Sequence, residues 1–185
     1  MPTRIVAGEL GRRSIKVPRG RKTRPTLARL RESLFSFLGD HTRGKVVCDL
    51  FAGSGSLGIE ALSRGATSAV FVEKDNDAIA CITENVKTFG LSKKTRIVRD
   101  DVFRFLRKCA EQGSRFDIVF ADPEYGSGDA RKLLEFLDCE APLADVLCLE
   151  HEKKTTLPEP THHLALVRVL RAGEKRISIF FGGDA

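Results

Sequence analysis

Five short, largely apolar runs alternate with amphipathic segments between residues 46 and 150. The runs cover residues 46–51, 68–73, 96–98, 116–121 and 146–150. Nearly continuous apolar stretches of this length read as strands buried on both faces. The segments between them carry apolar residues at helical spacing: residues 57–64; Ile79, Ile82, Val86 and Phe89, opened by Asp77 and closed by Gly90; Val102, Phe105 and Leu106; and residues 130–137. Alternation of this kind predicts an α/β fold with a mostly parallel, doubly wound sheet covered by helices on both faces. The rhythm then changes. Residues 164–170 and 176–181 flank a polar turn at 171–175, so the sheet is predicted to end in an antiparallel hairpin. A chain of 185 residues suits one such domain with a small appendage, and buries a full core without staples.

The appendage is the N-terminal end, and it is basic. Residues 1–45 hold twelve Lys and Arg against three acids, while the whole chain carries a net charge of +6, so the remainder is slightly acidic. A segregated basic arm is an electrostatic footprint for a polyanion, and nucleic acid is the expected partner. Residues 4–7 and 14–17 read as a basic hairpin and residues 18–24 as a polar linker. Arg4, Arg12, Arg13, Lys16, Arg19, Arg21 and Lys22 are the candidate RNA contacts. The expected division is therefore an extension over 1–24 and a main domain over 25–185. Thr26 is the expected N-cap of a helix running to Leu38, with Leu27, Leu30, Leu34 and Leu38 on its buried face. Arg31 falls roughly 40° from the centre of that face. There it either finds an anionic partner or snorkels to solvent.

Other classes are disfavoured. No stretch approaches the length of a membrane span, and no apolar leader follows Met1, so a cytoplasmic protein is expected. The five cysteines are odd in number and lack Cys-x-x-Cys spacing, which reads as reduced thiols. The four histidines are scattered, and His162 and His163, being adjacent, would point to opposite faces of a strand. No metal is expected.

The first strand of the main domain ends in Gly53-Ser54-Gly55-Ser56-Leu57-Gly58, and Glu73 follows twenty residues after Gly53 at the end of the second strand. Taken alone, this fits a dinucleotide fingerprint. The glycines let backbone approach a ligand, and the acid accepts from ribose hydroxyls. An S-adenosylmethionine site has similar geometry, because adenosine is common to both ligands. Asp49 separates the two. Next to a pyrophosphate its carboxylate repels; next to the ammonium of a methionine moiety it attracts. The chain is also short for a two-halved dinucleotide fold with a substrate domain. Strand four ends in Asp122-Pro123-Glu124-Tyr125, at the carboxyl edge where open α/β sheets bind ligands.

With Arg24-Pro25-Thr26, Arg29-Leu30-Arg31-Glu32 and the long motif from Asp49 through Gly53 and Gly58 to Ala66, the chain resembles the RsmD family. These are bacterial methyltransferases acting on guanine N2 of 16S ribosomal RNA. The resemblance runs from Arg4 to about Glu150 and, more loosely, through the last hairpin. It implies a Rossmann-like S-adenosylmethionine-dependent methyltransferase fold and a substrate that is 16S ribosomal RNA or the small-subunit particle. It also implies a cofactor site drawn from Arg24, Thr26, Asp49, Phe51, Gly53, Gly55, Gly58, Glu73, Asp101 and Val102. Asp101 matches the position that meets the adenine amine, and is equally placed to cap the following helix. Two departures stand out. The family's Asp-Pro-Pro-aromatic tetrapeptide has Glu124 in place of its second proline, and Ala172 precedes Gly173 where a tyrosine is usual.

The tetrapeptide suits amine chemistry. The lone pair of the guanine exocyclic amine is delocalised into the ring, so attack on a sulfonium methyl requires pyramidalisation. Two acceptors gripping the two N–H groups favour that geometry. Asp122 offers a carboxylate, Pro123 a backbone carbonyl, and Tyr125 a surface on which an unstacked base can rest. These three are the candidate catalytic residues. The alternatives are an amino-methyltransferase for another RNA or DNA base, a catalytically weak RNA-binding assembly factor, and, more distantly, a nicotinamide oxidoreductase. No membrane partner is expected, and the chain is expected to be a monomer.

Overall fold

The computed structural model describes residues 3–18, 25–159 and 162–183, without the side chains of residues 25–27. Two short strands, β1 (Thr3–Arg4) and β2 (Ser14–Ile15), pair antiparallel as the N-terminal hairpin. Helix α1 (Pro25–Leu38) follows. Strands β3 (Val46–Leu50), β4 (Ser68–Glu73), β5 (Thr95–Arg99), β6 (Phe116–Ala121) and β7 (Ala144–Glu152) then alternate with helices α2 (Ser56–Ser63), α3 (Asn76–Thr88), α4 (Val102–Glu111) and α5 (Asp129–Glu135). A π turn, Phe136–Glu140, extends α5. The chain closes with β8 (Leu164–Ala172) and β9 (Lys175–Gly182).

The seven-stranded sheet has the order β5-β4-β3-β6-β7-β9-β8. Strands β3 to β7 pair in parallel, and β9 lies antiparallel between β7 and β8. The predicted closing hairpin is therefore present, and it adds both of its strands to the sheet. Period-two alternation sends successive side chains to opposite faces. Val47, Phe71, Ile118 and Phe120 join a core with Leu30 and Leu34 of α1, Ile59 of α2 and Ile82 of α3. Cys48, Leu50, Val72 and Val119 join another with Phe105 and Leu106 of α4 and Leu133 and Leu134 of α5. Strand order reverses between β3 and β6, so the chain leaves these neighbours toward opposite faces. A crevice opens at their carboxyl ends, the usual ligand position in such sheets.

Two caps differ from expectation. Helix α1 begins at Pro25, so Thr26 stands in its first turn rather than at the N-cap. Proline is favoured as a first helical residue, where its missing N–H costs nothing. The cap of α3 is Asp75, whose side chain accepts from Ala78 N–H, and Asp77 falls in the first turn. Both residues are cap types, and local pattern does not choose between them.

The hairpin packs on the body through its own apolar residues. Ile5 and Ile15 are buried in the same core as α1, α2 and α3. Each contributes roughly 1.5–3 kcal/mol by burial. Buried Glu60 accepts from Val6 N–H at 2.7 Å and Ala7 N–H at 3.1 Å. Ser63 Oγ accepts from Leu10 N–H and donates to Ala7 O. Asn85 exchanges two hydrogen bonds with the Lys16 backbone and donates a third to Ser54 O in the glycine loop. Gly8 closes the fit: at φ +83°, a Cβ there would stand 2.0 Å from the Ser63 carbonyl oxygen. Arg31 is buried; its Nη2 donates to Arg4 O at 2.6 Å, whereas its Nε has no hydrogen-bond partner. Rather than a carboxylate, a backbone carbonyl of the hairpin accepts from this guanidinium, and the charge of Glu60 partly offsets the effect of its burial.

Candidate active site

The loop leaving β3 is held from within. Asp49, 2 % exposed, accepts from Gly58 N–H at 2.9 Å through Oδ2. Phe51 takes φ +55°, a conformation that costs a non-glycine residue on the order of 1–3 kcal/mol. Gly53 N–H donates to Glu73 Oε2 at 2.8 Å, and Lys74 and Asp75 N–H groups donate to Oε1 at 2.8 and 3.0 Å. Gly58 cannot carry a side chain, since a Cβ would lie 2.4 Å from the Phe71 ring. The two acids placed by the sequence therefore shape the glycine loop as well as facing the crevice.

That crevice is a cleft of about 1030 Å³. Asp49, Phe51, Gly53 and Glu73 line it from the ends of β3 and β4, and Asp122, Pro123, Glu124 and Tyr125 line it from the end of the neighbouring β6. Residues 3–6 of the hairpin, Val17 and Pro18, together with Arg31 and Glu32 of α1, complete it. The volume exceeds what one small ligand needs and accommodates a cofactor beside a base. Burial, aided by the charges of Asp122 and Glu73 and opposed by the Gly58 N–H, pushes the Asp49 carboxyl up to about 8. A buried acid in this state gains most from a cationic ligand, which restores its charge.

In the loop after β6 Pro123 is buried while Asp122 and Tyr125 are exposed. The Tyr125 hydroxyl donates to Glu150 Oε1 at 2.8 Å. Lys175 forms an ion pair with the same carboxylate, and its Nζ lies 4.7 Å from the Tyr125 ring centroid. Burial, and then the Glu150 charge and hydrogen bond, raise the phenol well above its ordinary range, so it remains protonated. Glu124 is exposed, and its carbonyl accepts from Ser127 Oγ at 2.7 Å in the turn leading to α5.

The structure gathers Asp49, Phe51, Gly53, Glu73, Asp122, Pro123 and Tyr125 around one cleft. Gly55, at φ +75°, and Gly58 lie behind the loop, under the Phe71 ring. Asp101 and Val102 are not on the cleft wall. Asp101 Oδ1 accepts from the Phe103 and Arg104 N–H groups as the cap of α4, and Val102 is buried. Of the basic candidates, Arg4 lines the cleft and Arg12 is exposed in the hairpin turn. Arg13 donates to Thr88 O and lies over the Phe89 ring, and Lys16 pairs with Glu84, so both side chains lean on α3. Arg19, Arg21, Lys22 and Arg24 lie outside the described residues, as do the side-chain contacts of Thr26. Sequence reasoning missed Glu150, Lys175, Glu60, Ser63 and Asn85. The signal for Glu150 was present, since an acid ends the apolar run of β7 at the ligand-binding edge. Glu60 was also visible as an acid enclosed by Ile59, Ala61 and Leu62.

Strand order with one reversed strand, a glycine loop between two acids, and a second acid loop on the same cleft define a Rossmann-like methyltransferase fold. The chain matches the family described as Conserved hypothetical protein 95 over residues 3–181. It is 36% identical over 179 residues to YlbH of Bacillus subtilis (strain 168), covering 96% of this chain and 97% of that one. It is 34% identical over 173 residues to Ribosomal RNA small subunit methyltransferase D of Escherichia coli (strain K12), covering 92% and 85%. The solved structure of yhhF from Escherichia coli aligns over 100% of both chains with a TM-score of 0.87 at 29% identity. The protein belongs to this family, the RsmD methyltransferases. No helix among the described residues is long and apolar enough to cross a membrane.

Proposed function

We propose that the protein methylates the exocyclic N2 amine of a guanine in 16S ribosomal RNA, with S-adenosylmethionine as the methyl donor. The observation that carries this reading is that Asp122 and Pro123 line the same cleft as Asp49, Gly53 and Glu73. An amine-gripping pair and a nucleoside-cofactor loop then face a common space. The curated relative named for small-subunit methylation supports the substrate class.

The residues fit the cofactor. Asp49, with its carboxyl held near 8 by burial, is the counter-ion for an ammonium. Glu73 Oε1 takes two backbone N–H groups and Oε2 only one, so Oε2 keeps a lone pair that can accept from a ribose hydroxyl. Phe51 and Gly53 bring backbone close to the ligand, and Arg24 and Thr26 join them as cofactor contacts. To reach Asp101 and Val102 at the cap of α4, the adenine end extends beyond the cleft wall. The bound cofactor supplies an electrophilic methyl carbon on a sulfonium.

Asp122 accepts one N–H of the target amine and the Pro123 carbonyl accepts the other, which turns the nitrogen lone pair toward the methyl. As the new N–C bond forms, the surplus amine proton passes to Asp122 or to solvent. Tyr125 stacks on the base, its hydroxyl held by Glu150 and one ring face covered by Lys175. Arg4, Arg12, Arg13, Lys16, Arg19, Arg21 and Lys22 contact the RNA backbone, their charge supplying sequence-independent affinity.

The test is transfer of a tritiated methyl group to naked 16S RNA, assembled small subunits and duplex DNA, followed by nucleoside analysis. The expected product is N2-methylguanosine from one of the RNA substrates. Methylated adenine, or label in DNA alone, would overturn the assignment of base and substrate.

A further inference from the structure

Away from the cleft, the fold brings together three side chains of ligand type. Asp138 and Cys139 stand in the π turn after α5, and His162 lies just before β8. Asp138 is 3 % exposed, whereas Cys139 and His162 are exposed. The carboxylate of Asp138 is pinned: its Oδ1 accepts from the backbone N–H groups of His163 at 2.9 Å and Leu164 at 2.8 Å. Its Oδ2 thereby faces Cys139 Sγ and His162 Nδ1, each at 3.6 Å, and those two atoms are 3.3 Å apart.

These three distances are those of a coordination triangle. Tetrahedral zinc, with Zn–S near 2.3 Å and Zn–N and Zn–O near 2.0–2.2 Å, sets its ligand atoms about 3.3–3.6 Å from one another. Such outer bonds to a ligating carboxylate are also the means by which proteins orient metal ligands in advance. The donor set of thiolate, imidazole and carboxylate selects zinc-like ions over magnesium and calcium, which take oxygen ligands.

We propose that Asp138, Cys139 and His162 form a binding site for a borderline-soft divalent cation of the zinc class, with solvent in the fourth position. On binding, the cation replaces the Cys139 thiol proton, which passes to solvent, and no oxidation is involved. The cation ties the turn after α5 to the start of β8. None of the three residues lines the cleft, so methyl transfer is independent of the site.

Cys139 is its own reporter, because Cys48, Cys81, Cys109 and Cys148 are buried. Untagged, full-length, reduced protein is titrated with zinc against a chromophoric chelator, and with cobalt while its near-ultraviolet spectrum is followed. One equivalent is expected to bind at micromolar or lower free ion. Cobalt should produce a thiolate charge-transfer band, zinc should slow iodoacetamide labelling of Cys139 at least tenfold, and zinc should raise the melting temperature. Cys139→Ser should remove the band and the thermal shift, and His162→Ala should weaken binding at least tenfold, with both variants remaining folded and active. Absence of the cobalt band, labelling unaffected by zinc, or equal binding by wild type and Cys139→Ser would each overturn the proposal.

Discussion

The Tyr125 hydroxyl donates to Glu150 Oε1 at 2.8 Å, and so ties the loop after β6 to the end of β7. Lys175, from the start of β9, neutralises the same carboxylate and covers the tyrosine ring. Three strands thus fix the plane of one aromatic. Tyr125→Ala should lower kcat/KM for RNA by about 1–3 kcal/mol, roughly 5- to 150-fold, the value of one base–aromatic stack. Tyr125→Phe should be mild, because the ring remains. Glu150→Ala should fall between them and leave S-adenosylhomocysteine affinity unchanged. Steady-state methyl transfer with calorimetry checks this, and a wild-type rate in Glu150→Ala would remove the carboxylate from the positioning of Tyr125.

Asp49 links cofactor affinity to pH. Its carboxyl lies near 8 in the free protein because it is buried, and a bound ammonium lowers it. Below pH 8 the ligand therefore displaces a proton from Asp49. Affinity should rise as pH increases toward 8, by at most about tenfold per unit, and then level off. Calorimetry of S-adenosylhomocysteine at pH 7 in two buffers of different ionisation heat should show release of up to one proton, and Asp49→Asn should abolish it. Equal heats in both buffers would show that Asp49 does not change charge on binding.

Gly8 is the tightest point of the hairpin's contact with α2. A Cβ there would meet the Ser63 carbonyl at 2.0 Å, so Gly8→Ala must displace the hairpin. The expected loss is about 1–3 kcal/mol, or about 2–4 °C in melting temperature per kcal/mol for a chain of this size. Cofactor affinity should fall with it, since residues 3–6 line the cleft. Gly90→Ala is the control: it has a similar φ of +70° and no atom within 4 Å. Equal melting temperatures for the two variants would mean that close approach at Gly8 is not what seats the hairpin.

That contact marks where the sequence was legible and where it was not. The strands and helices of the main domain were readable because each carries its own periodicity, and the glycine loop because its residues are contiguous. The basic N-terminal segment read as an electrostatic arm, since charge dominates its composition. Its burial rests on single residues, Ile5, Ile15, Glu60 and Asn85, whose partners are 53 to 69 positions away where hydrogen-bonded. Such pairings leave no local pattern. Lys175 and Tyr125 meet for the same reason only in the folded sheet. His162 was set aside because its neighbour His163 points elsewhere, whereas the relevant partner is Cys139, 23 residues earlier.

If Asp122 and the Pro123 carbonyl grip the reacting amine, Asp122→Ala should abolish methyl transfer while leaving the fold and most cofactor affinity intact. Asp122→Asn should keep part of the rate, because its amide oxygen still accepts one hydrogen bond. Glu124, which stands where the family has a second proline, tests whether backbone restraint or side-chain charge matters at this position. Its side chain is exposed, and its N–H is used in none of the loop backbone hydrogen bonds among the described residues. Glu124→Pro therefore sacrifices no backbone bond and adds a fixed φ next to the gripping carbonyl. Activity equal to or above wild type is expected. A large loss would assign the Glu124 carboxylate its own part in selecting the base, and full activity in Asp122→Ala would place the chemistry outside this loop.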